Sequence, residues 1–232
     1  MTGMEEDDRA FGAWLGDAEG TVTAHPLMET LDRLYTSGPG PGRTQQALEG
    51  AREMIRRVQS EVVYYDSLAN TPVGPLFIAL SNKGIVALEY SESATASAGR
   101  LRQRGNYELV HSREEVSHAA REVMDYLEGR RADFDLPLDL TGLTAFQRLV
   151  LLAVVGVPRG KVATYAEIAR KIDRPRAARA VGQALRRNPI PIVIPCHRVL
   201  ASDGGLGGYT GRGGLRTKKQ LLSLEGVRLG TA

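Results

Sequence analysis

The segment between residues 188 and 199 constrains the fold more than any other part of the chain. It reads Asn-Pro-Ile-Pro-Ile-Val-Ile-Pro-Cys-His-Arg-Val, and Pro189, Pro191 and Pro195 exclude an α-helix across it. The isoleucine and valine side chains between the prolines are apolar, so we expect the segment to be buried. It therefore brings Cys196, the only cysteine of the chain, to the protein interior.

Composition excludes several classes of protein. The 232 residues are 42% hydrophobic and 25% charged, which is typical of a globular chain and excludes disordered, collagen-like and coiled-coil proteins. No apolar run approaches the roughly 20 residues that span a bilayer. The acidic N-terminus lacks the apolar stretch of a secretory signal. A single cysteine excludes an internal disulfide and a cysteine-cluster zinc site, and it predicts a cytoplasmic location.

The charge is divided unevenly along the chain. The net charge is only +3, but residues 140–232 hold 16 basic and 4 acidic residues, whereas residues 1–139 hold 14 basic and 23 acidic ones. A strongly basic part favours a polyanionic partner such as nucleic acid. An ordinary solvated surface is the alternative.

Three regions follow from the patterning. Residues 1–59 form an acidic extension without an assigned role, with helices predicted around 27–35 and 45–58 on either side of a Gly/Pro breaker at 37–42. This extension is a candidate cover for the basic part of the chain. Residues 60–139 are predicted to form a small α/β domain, and residues 140–232 a mainly helical one.

The α/β domain is predicted from strand patterns. Residues 61–65 are β-branched and aromatic, and the apolar runs 76–80 and 85–90 predict an antiparallel hairpin with Gly84 in a left-handed conformation. A helix is predicted to begin after Ser112, with Glu115 completing a capping box. Its apolar positions are Val116, Ala119, Ala120, Val123 and Leu127, and it ends at Gly129. The loop 133–141 is the expected domain boundary.

The helical domain contains a candidate helix-turn-helix. An amphipathic helix has its apolar stripe at Phe146, Leu149, Val150, Ala153 and Val154. A second helix begins at Thr164, with Glu167 completing a capping box. After a turn at 173–175, a third helix has an apolar face of Ala177, Ala180, Val181, Ala184 and Leu185, and a polar face of Arg176, Arg179, Gln183, Arg186 and Arg187.

The third helix is unusually rich in small residues. Small side chains let a helix backbone approach DNA closely but cannot read base edges. The pattern thus favours backbone or minor-groove contact over sequence-specific readout. A plain helical hairpin with a solvated basic face is the alternative.

The surroundings of Cys196 favour a reactive thiol. The adjacent His197 and Arg198 can lower a thiol pKa. A glycine-rich loop at 202–214 then provides a backbone that a flat ligand can approach. A buried, inert cysteine and a flexible linker are the corresponding alternatives. The four histidines lack metal-ligand spacing, so no metal site is predicted.

Several segments of the chain together resemble one protein family. Pro195-Cys196-His197-Arg198, with the Asn-Pro and Ile/Val run before it, resembles the active-site motif of the O6-alkylguanine-DNA alkyltransferases, the methylated-DNA–protein-cysteine methyltransferases. Further matching segments lie at 71–76, 146–147, 158–165, 176–182 and 221–226, so the resemblance covers about residue 60 to 230.

The resemblance implies a ribonuclease-H-like α/β domain followed by a winged helix-turn-helix-like domain. It implies a monomer without cofactor, metal or membrane contact that binds duplex DNA at the minor groove. Such a protein flips out guanine alkylated at O6, and O4-alkylthymine is a second candidate substrate. Cys196 takes the alkyl group permanently.

The resemblance also assigns roles to individual residues. Arg179 would fill the space of the flipped base, and Tyr165 would crowd the 3′ phosphate. The remaining DNA-contacting positions would be Ala177, Ala178, Gly182 and Arg186. Packing within the protein is the alternative for Tyr165.

The catalytic residues implied by the resemblance surround Cys196. His197 would be its general base through a water molecule, and Glu225 would orient His197. Asn188 would brace the chain, with a helix C-cap as its alternative. A surface position is the alternative for Glu225. The residues implied for the base pocket are Tyr209, Thr210, Val199 and Pro195.

The sequence departs from the family pattern at two positions, and two alternative functions are to be compared with alkyl transfer. Leu151 stands where relatives often have tryptophan, and Arg212 resembles an insertion in the pocket loop. A lesion sensor without transfer activity is one rival, although such relatives lack the cysteine. A thiol hydrolase is another, but neighbouring residues of an extended segment point apart, which keeps His197 from contacting Cys196 directly.

Overall fold

The computed structural model describes residues 41–58, 60–209 and 211–228. The chain divides into two compact units, Met1–Val58 and Gln59–Ala232. In the first, helix α1 covers Pro41–Val58, which confirms the helix predicted over 45–58. It begins within the predicted breaker, because proline fits the first helical position, where its missing N–H has no intrahelical partner. The helix predicted around 27–35 lies outside the described residues.

The second unit begins with a four-stranded sheet in the order β3-β2-β1-β4. The strands are β1 Glu61–Leu68, β2 Leu76–Ser81, β3 Gly84–Tyr90 and β4 Tyr107–His111. The predicted antiparallel hairpin of β2 and β3 is confirmed. Strand β4, which the sequence patterns do not predict, pairs with β1 in parallel. The sheet is therefore mixed, with three antiparallel strands and one parallel strand at its edge.

Gly84 turns the hairpin under two constraints. Its φ is +135°, the positive range that favours glycine, as predicted. A Cβ at this position would lie 2.1 Å from the carbonyl oxygen of Pro137. The reason is that the segment expected as a domain boundary runs beside β3, with the Ile85 N–H donating to that same oxygen.

Helices cover both faces of the sheet. Helix α2 (Ala94–Arg102) packs on one face through Ala98 and Leu101. Helix α3 (Arg113–Leu127) packs on the other through Val116, Ala119, Val123 and Leu127, as predicted. Ser112 caps α3 by accepting from the Glu115 N–H, but the reciprocal bond of a capping box is not among those the structure gives for these residues.

The helical domain consists of α4 Ala145–Val155, α5 Tyr165–Lys171, α6 Ala178–Arg186 and α7 Leu215–Leu224, with a two-stranded parallel pair, β5 Ala163–Thr164 and β6 Val199–Leu200. The capping box of Thr164 and Glu167 at the start of α5 is confirmed. These helices share one core cluster with α3 and with the face of the sheet that α3 covers.

Two positions of the predicted apolar faces are wrong. Leu149 of α4 is 52% exposed, and Leu151 is buried in its place. Ala180 of α6 is exposed, although Val181, Ala184 and Leu185 are buried as predicted. Within the described part of the chain, no helix is long and apolar enough to cross a membrane.

Candidate active site and nucleic-acid interface

Cys196 is held by the proline-rich segment that the sequence singled out. Ile190, Ile192 and Ile194 are fully buried. A three-residue 3-10 helix follows immediately, from Cys196 to Arg198. The prolines and the apolar run favour an extended conformation for this stretch. The structure instead turns the backbone after Pro195, with the Arg198 N–H donating to the Pro195 carbonyl.

Asn188 closes the segment on itself. Its side-chain amide donates to the carbonyl of Ile194 at 3.0 Å, and its side-chain oxygen accepts from the Ile190 N–H at 3.0 Å. It also hydrogen-bonds the thiol of Cys196, which favours the thiolate. The Asn188 N–H itself donates to Leu185 at the end of α6. Asn188 thus links the helix, through its backbone N–H, to the segment that carries the cysteine, through its side chain, in the bracing position that the resemblance implies.

Glu225 lies at the centre of a buried polar cluster. His197 Nε2 lies 2.5 Å from Glu225 Oε1, and neither side chain has exposed surface. Arg198 Nε donates to Oε2 at 2.8 Å, and the hydroxyl of Tyr126 donates to Oε1. Burial raises the pKa of Glu225, but hydrogen bonds from His197, Arg198 and Tyr126 outweigh it and lower the pKa to about 2. Glu225 is therefore ionised at neutral pH.

His197 is poised as a neutral base. Burial lowers its pKa from the usual value, against the opposing effect of the Glu225 carboxylate. A neutral imidazole with Nε2 next to a carboxylate carries its proton on Nε2, which leaves Nδ1 as the acceptor. Nδ1 is buried and has no hydrogen-bond partner among the described residues. The Glu225 contact thus fixes the tautomer that a general base needs.

The thiol of Cys196 is protonated when the site is at rest. Burial raises its pKa, and this outweighs the hydrogen bond from Asn188 and the charge of Lys218. A thiol is a far weaker nucleophile than a thiolate. Attack by Cys196 therefore requires removal of its proton, which is the task for which His197 is suited.

Lys218 is a buried charge that the sequence analysis missed. It lies on α7 with no exposed surface, and its Nζ donates to the carbonyls of Val199 at 2.5 Å and Leu206 at 2.6 Å. Burial lowers its pKa to about 8, against the attraction of a thiolate at Cys196. A lysine in the sequence Arg-Thr-Lys-Lys shows no local signal of burial, so only the tertiary fold reveals it.

A cavity of about 550 Å³ opens beside Cys196. Seven of the predicted site residues line it: Cys196, Tyr165, Ala178, Arg179, Gly182, Arg186 and Tyr209. Leu185, Ala201, Ser202 and Gly208 complete the lining. The cavity is thus bounded by the basic face of α6 on one side and by the glycine-rich loop on another.

Three residues predicted to contact DNA or the base are not among the described residues that line this cavity. Ala177 is the N-cap position of α6. Pro195 lines a separate cavity of about 130 Å³ with Arg198. Val199 is fully buried, so its side chain belongs to the core rather than to the pocket. Thr210, predicted to hold the base, lies outside the described residues.

Tyrosines surround the cavity. Burial raises the pKa of Tyr165 against a hydrogen bond from the backbone of Gly208. Burial, together with the charge of a thiolate at Cys196, raises the pKa of Tyr209 well above its usual value. The hydroxyls of Tyr209 and Tyr90 lie 2.8 Å apart. The hydroxyls of Tyr165 and Tyr209 are therefore neutral, polar groups of side chains that line the cavity.

The loop residue Arg212 is not among the residues that line the cavity. Its guanidinium pairs with Glu92, just beyond the end of β3, and both side chains are at least half exposed. Among the described residues, no group of three histidine, cysteine or acidic side chains could hold a metal ion.

Family models match both domains of the second unit. The ribonuclease-like domain of 6-O-methylguanine DNA methyltransferase matches residues 63–140, and the DNA binding domain of the same family matches residues 145–227. These ranges correspond to the sheet domain and the helical domain described above.

Curated relatives cover most of the second unit. A methylated-DNA–protein-cysteine methyltransferase of Methanosarcina barkeri is 41% identical over 163 residues, which is 70% of this chain and 97% of that protein. The inducible enzyme of that name from Bacillus subtilis is 39% identical over 158 residues, 68% of this chain and 82% of that protein.

Solved structures show the same arrangement. The crystal structure of Mycobacterium tuberculosis OGT in complex with DNA aligns with a TM-score of 0.58 at 36% identity, covering 70% of this chain and 92% of that one. The O6-methylguanine-DNA methyltransferase of Pyrococcus kodakaraensis aligns with a TM-score of 0.52 at 27% identity, covering 71% and 99%. With relatives this similar over nearly their whole length, the chain belongs to the methylated-DNA–protein-cysteine methyltransferase family.

Proposed function

We propose that this protein repairs duplex DNA by moving an alkyl group from O6-alkylguanine to the sulfur of Cys196. The observation that carries the proposal is the position of that sulfur. It lines a cavity of about 550 Å³ that also borders the basic face of α6. A thiol beside both a base-sized cavity and a cationic helix suits a reaction on a nucleobase taken out of the DNA stack.

The transfer is a single displacement. The sulfur forms a bond to the alkyl carbon as the bond from that carbon to O6 breaks, and the electron pair of the broken bond goes to guanine. The thiol proton passes through a water molecule to Nδ1 of His197, which the Glu225 contact leaves free to accept it. The imidazolium then returns one proton through the same water to the departing guanine, so His197 becomes neutral again and guanine gains the proton that the thiol lost. The thioether is stable, so each molecule reacts once.

The helix α6 is the proposed DNA-contacting element. Arg179 and Arg186 are exposed on it and line the cavity mouth. The helix has small residues at Ala177, Ala178 and Gly182, so its backbone can lie close to the DNA in the minor groove. In this account Arg179 occupies the space of the flipped base, Tyr165 acts on the neighbouring phosphate, and the protein binds as a monomer.

The flipped base lies in the cavity against the glycine-rich loop. Tyr209 offers its hydroxyl to a ring nitrogen, and the backbone of Thr210 donates to O6. A hydrogen bond to the leaving guanine lowers the barrier to its departure. Asn188 contributes by fixing the backbone that carries Cys196.

The test is the intact mass of the protein after incubation with duplex DNA that contains O6-methylguanine. We expect the mass to rise by one CH₂ unit, located on the peptide that contains Cys196. The matched control is Cys196→Ala, which should show no mass change while its dissociation constant for DNA stays within about twofold of wild type. An unchanged wild-type mass, with damaged DNA still bound in preference to undamaged DNA, would establish a lesion sensor instead.

A further inference from the structure

Two tyrosines from different domains meet at the cavity. Tyr90 is the last residue of β3, and Tyr209 lies in the glycine-rich loop, 119 positions later in the sequence. Their hydroxyl oxygens lie 2.8 Å apart, a normal O–H···O hydrogen bond. Their rings are edge to face, with centroids 6.3 Å apart. Tyr209 lines the cavity, whereas Tyr90 stands behind it.

The loop backbone is shaped around this pair. A Cβ added at Gly211 would lie 2.3 Å from a ring carbon of Tyr209 and 2.6 Å from a ring carbon of Tyr90. The pair is thus in close contact with the backbone two residues beyond Tyr209. Such contact leaves the Tyr209 ring little freedom to rotate away from Tyr90.

Each of the two hydroxyls carries one proton, and only one of these protons can form the hydrogen bond between them. Burial raises the pKa of both hydroxyls, so both are neutral at physiological pH. One proton lies between the two oxygens, and the other must point elsewhere. If Tyr90 donates to Tyr209, the second proton belongs to Tyr209 and is directed into the cavity. If Tyr209 donates to Tyr90, the cavity receives no proton from the pair.

We infer that Tyr90 is a positioning residue that makes Tyr209 a hydrogen-bond donor to the departing guanine. Guanine gains negative charge as its bond to the alkyl carbon breaks. That charge favours the arrangement in which Tyr90 donates to Tyr209 and Tyr209 donates to the base. A hydroxyl that accepts a hydrogen bond is also a stronger donor, because the bonds of a chain polarise one another. The inference rests on the base-contacting role proposed for Tyr209.

The test compares Tyr90→Phe, Tyr209→Phe and the double variant, with Tyr64→Phe as the matched control. Tyr64 is a partly buried tyrosine of β1 that does not line the cavity. We expect Tyr90→Phe to lower the first-order rate of transfer at saturating DNA about fivefold, the scale of one neutral hydrogen bond. Its dissociation constant for DNA should not change, and the double variant should react as slowly as Tyr209→Phe alone.

Two further measurements separate this role from a structural one. The first uses the 8-aza analogue of O6-methylguanine, whose ring anion is more stable and so depends less on a hydrogen-bond donor. With this base, the factor by which Tyr90→Phe slows transfer should be smaller. Placing 3-fluorotyrosine at position 90 should speed transfer, since its hydroxyl is the more acidic donor and its ring is nearly the same size.

Three outcomes would overturn the inference. The first is that Tyr90→Phe transfers as fast as Tyr64→Phe, and the second is that the rate reductions of Tyr90→Phe and Tyr209→Phe multiply in the double variant. The third is that Tyr90→Phe slows transfer by the same factor with O6-methylguanine and with its 8-aza analogue. A normal rate for Tyr209→Phe would instead remove the base-contacting role of Tyr209, and with it the role of Tyr90. Methylation of Cys196 would still occur in that case, so the failure of the proposed function is a separate result.

Discussion

Arginine side chains are about half exposed on one side of the second unit's core, and charged side chains are buried on the other. Around helix α2, the sheet packs apolar residues such as Val63, Phe77 and Leu101, and the arginines paired with Glu89 are about half exposed. Beside Cys196, by contrast, His197, Arg198, Lys218 and Glu225 are all buried. Burying a charge is costly unless it is paired and hydrogen-bonded. Beside Cys196 these groups are held by hydrogen bonds to one another and to backbone carbonyls, so removing one partner leaves another buried without its partner.

The largest effect is expected when Glu225 loses its charge. Glu225→Gln leaves Arg198 buried without its counter-ion and His197 without the acceptor that fixes its tautomer. We expect a loss of about 3–5 kcal/mol in the free energy of unfolding. We also expect a fall of about 10²-fold in the transfer rate, the scale of a lost general base. Denaturant unfolding and single-turnover transfer measure the two losses.

The matched control is Glu89→Gln in the sheet domain. Glu89 also accepts from arginine side chains, Arg100 and Arg104, but these are 50% and 43% exposed. Its loss should cost less than about 1 kcal/mol and leave the transfer rate unchanged. Equal losses for the two variants would contradict the contrast between the two regions.

The second prediction concerns acid. The pKa of His197 is lowered by burial, so the folded protein takes up fewer protons than the unfolded chain once pH falls below about 6.5, the ordinary histidine value. Stability should therefore begin to fall there as pH drops. Glu225, with a pKa of about 2 instead of 4.5, adds a further loss as pH falls from 4.5 towards 2.

The transfer rate should follow the same histidine. It should be flat through pH 6.5 and fall at lower pH, about tenfold per pH unit below the folded pKa of His197. Burial raises the pKa of Asp139 near the sheet, but hydrogen bonds from Ser81 and Thr141 outweigh it and hold the pKa below 3.8, so the stability that Asp139 contributes is lost only below about pH 4. A rate profile with its acid limb at or above pH 6.5 would contradict a neutral, buried His197.

A smaller effect is expected from the exposed face of α6. Arg179→Ala should slow transfer from duplex DNA about tenfold, because the space of the flipped base is left open. Transfer from free O6-benzylguanine should not change, since no base needs to be flipped. Arg170→Ala, an exposed arginine of α5 outside the cavity lining, is the control. Equal losses with duplex and free base would refute the role of Arg179.

The smallest effect is expected at Arg212. Its pair with Glu92 is exposed at both ends, so Arg212→Ala should change the free energy of unfolding by less than about 1 kcal/mol. The transfer rate at saturating DNA should change less than about twofold, since Arg212 is not in the cavity lining. A large fall in that rate would mean that the ion pair sets the shape of the pocket loop.

Local signals were enough to predict much of this fold. The hairpin of β2 and β3 follows from two apolar runs on either side of the turn at Gly84, and the start of α5 follows from Thr164 and Glu167. Each of these depends on residues a few positions apart. The motif around Cys196 was recognisable because its prolines and isoleucines are contiguous.

The elements and site residues that lack a local signal depend on contacts between distant residues. Strand β4 is five residues long with no fully buried side chain, so its pattern carries little signal without β1 beside it. Lys218 and Tyr126 enter the site only through packing of α7 and α3. Leu149 fits an apolar stripe by spacing, yet the structure buries Leu151, because helix orientation is set by the core and not by the stripe alone.

The most direct test of the account is a titration of protein with an excess of duplex DNA carrying labelled O6-methylguanine. The account predicts that repaired guanine stops accumulating at one equivalent per protein molecule, with the label on Cys196. Repaired guanine in excess of one equivalent, or label found elsewhere on the chain, would contradict it.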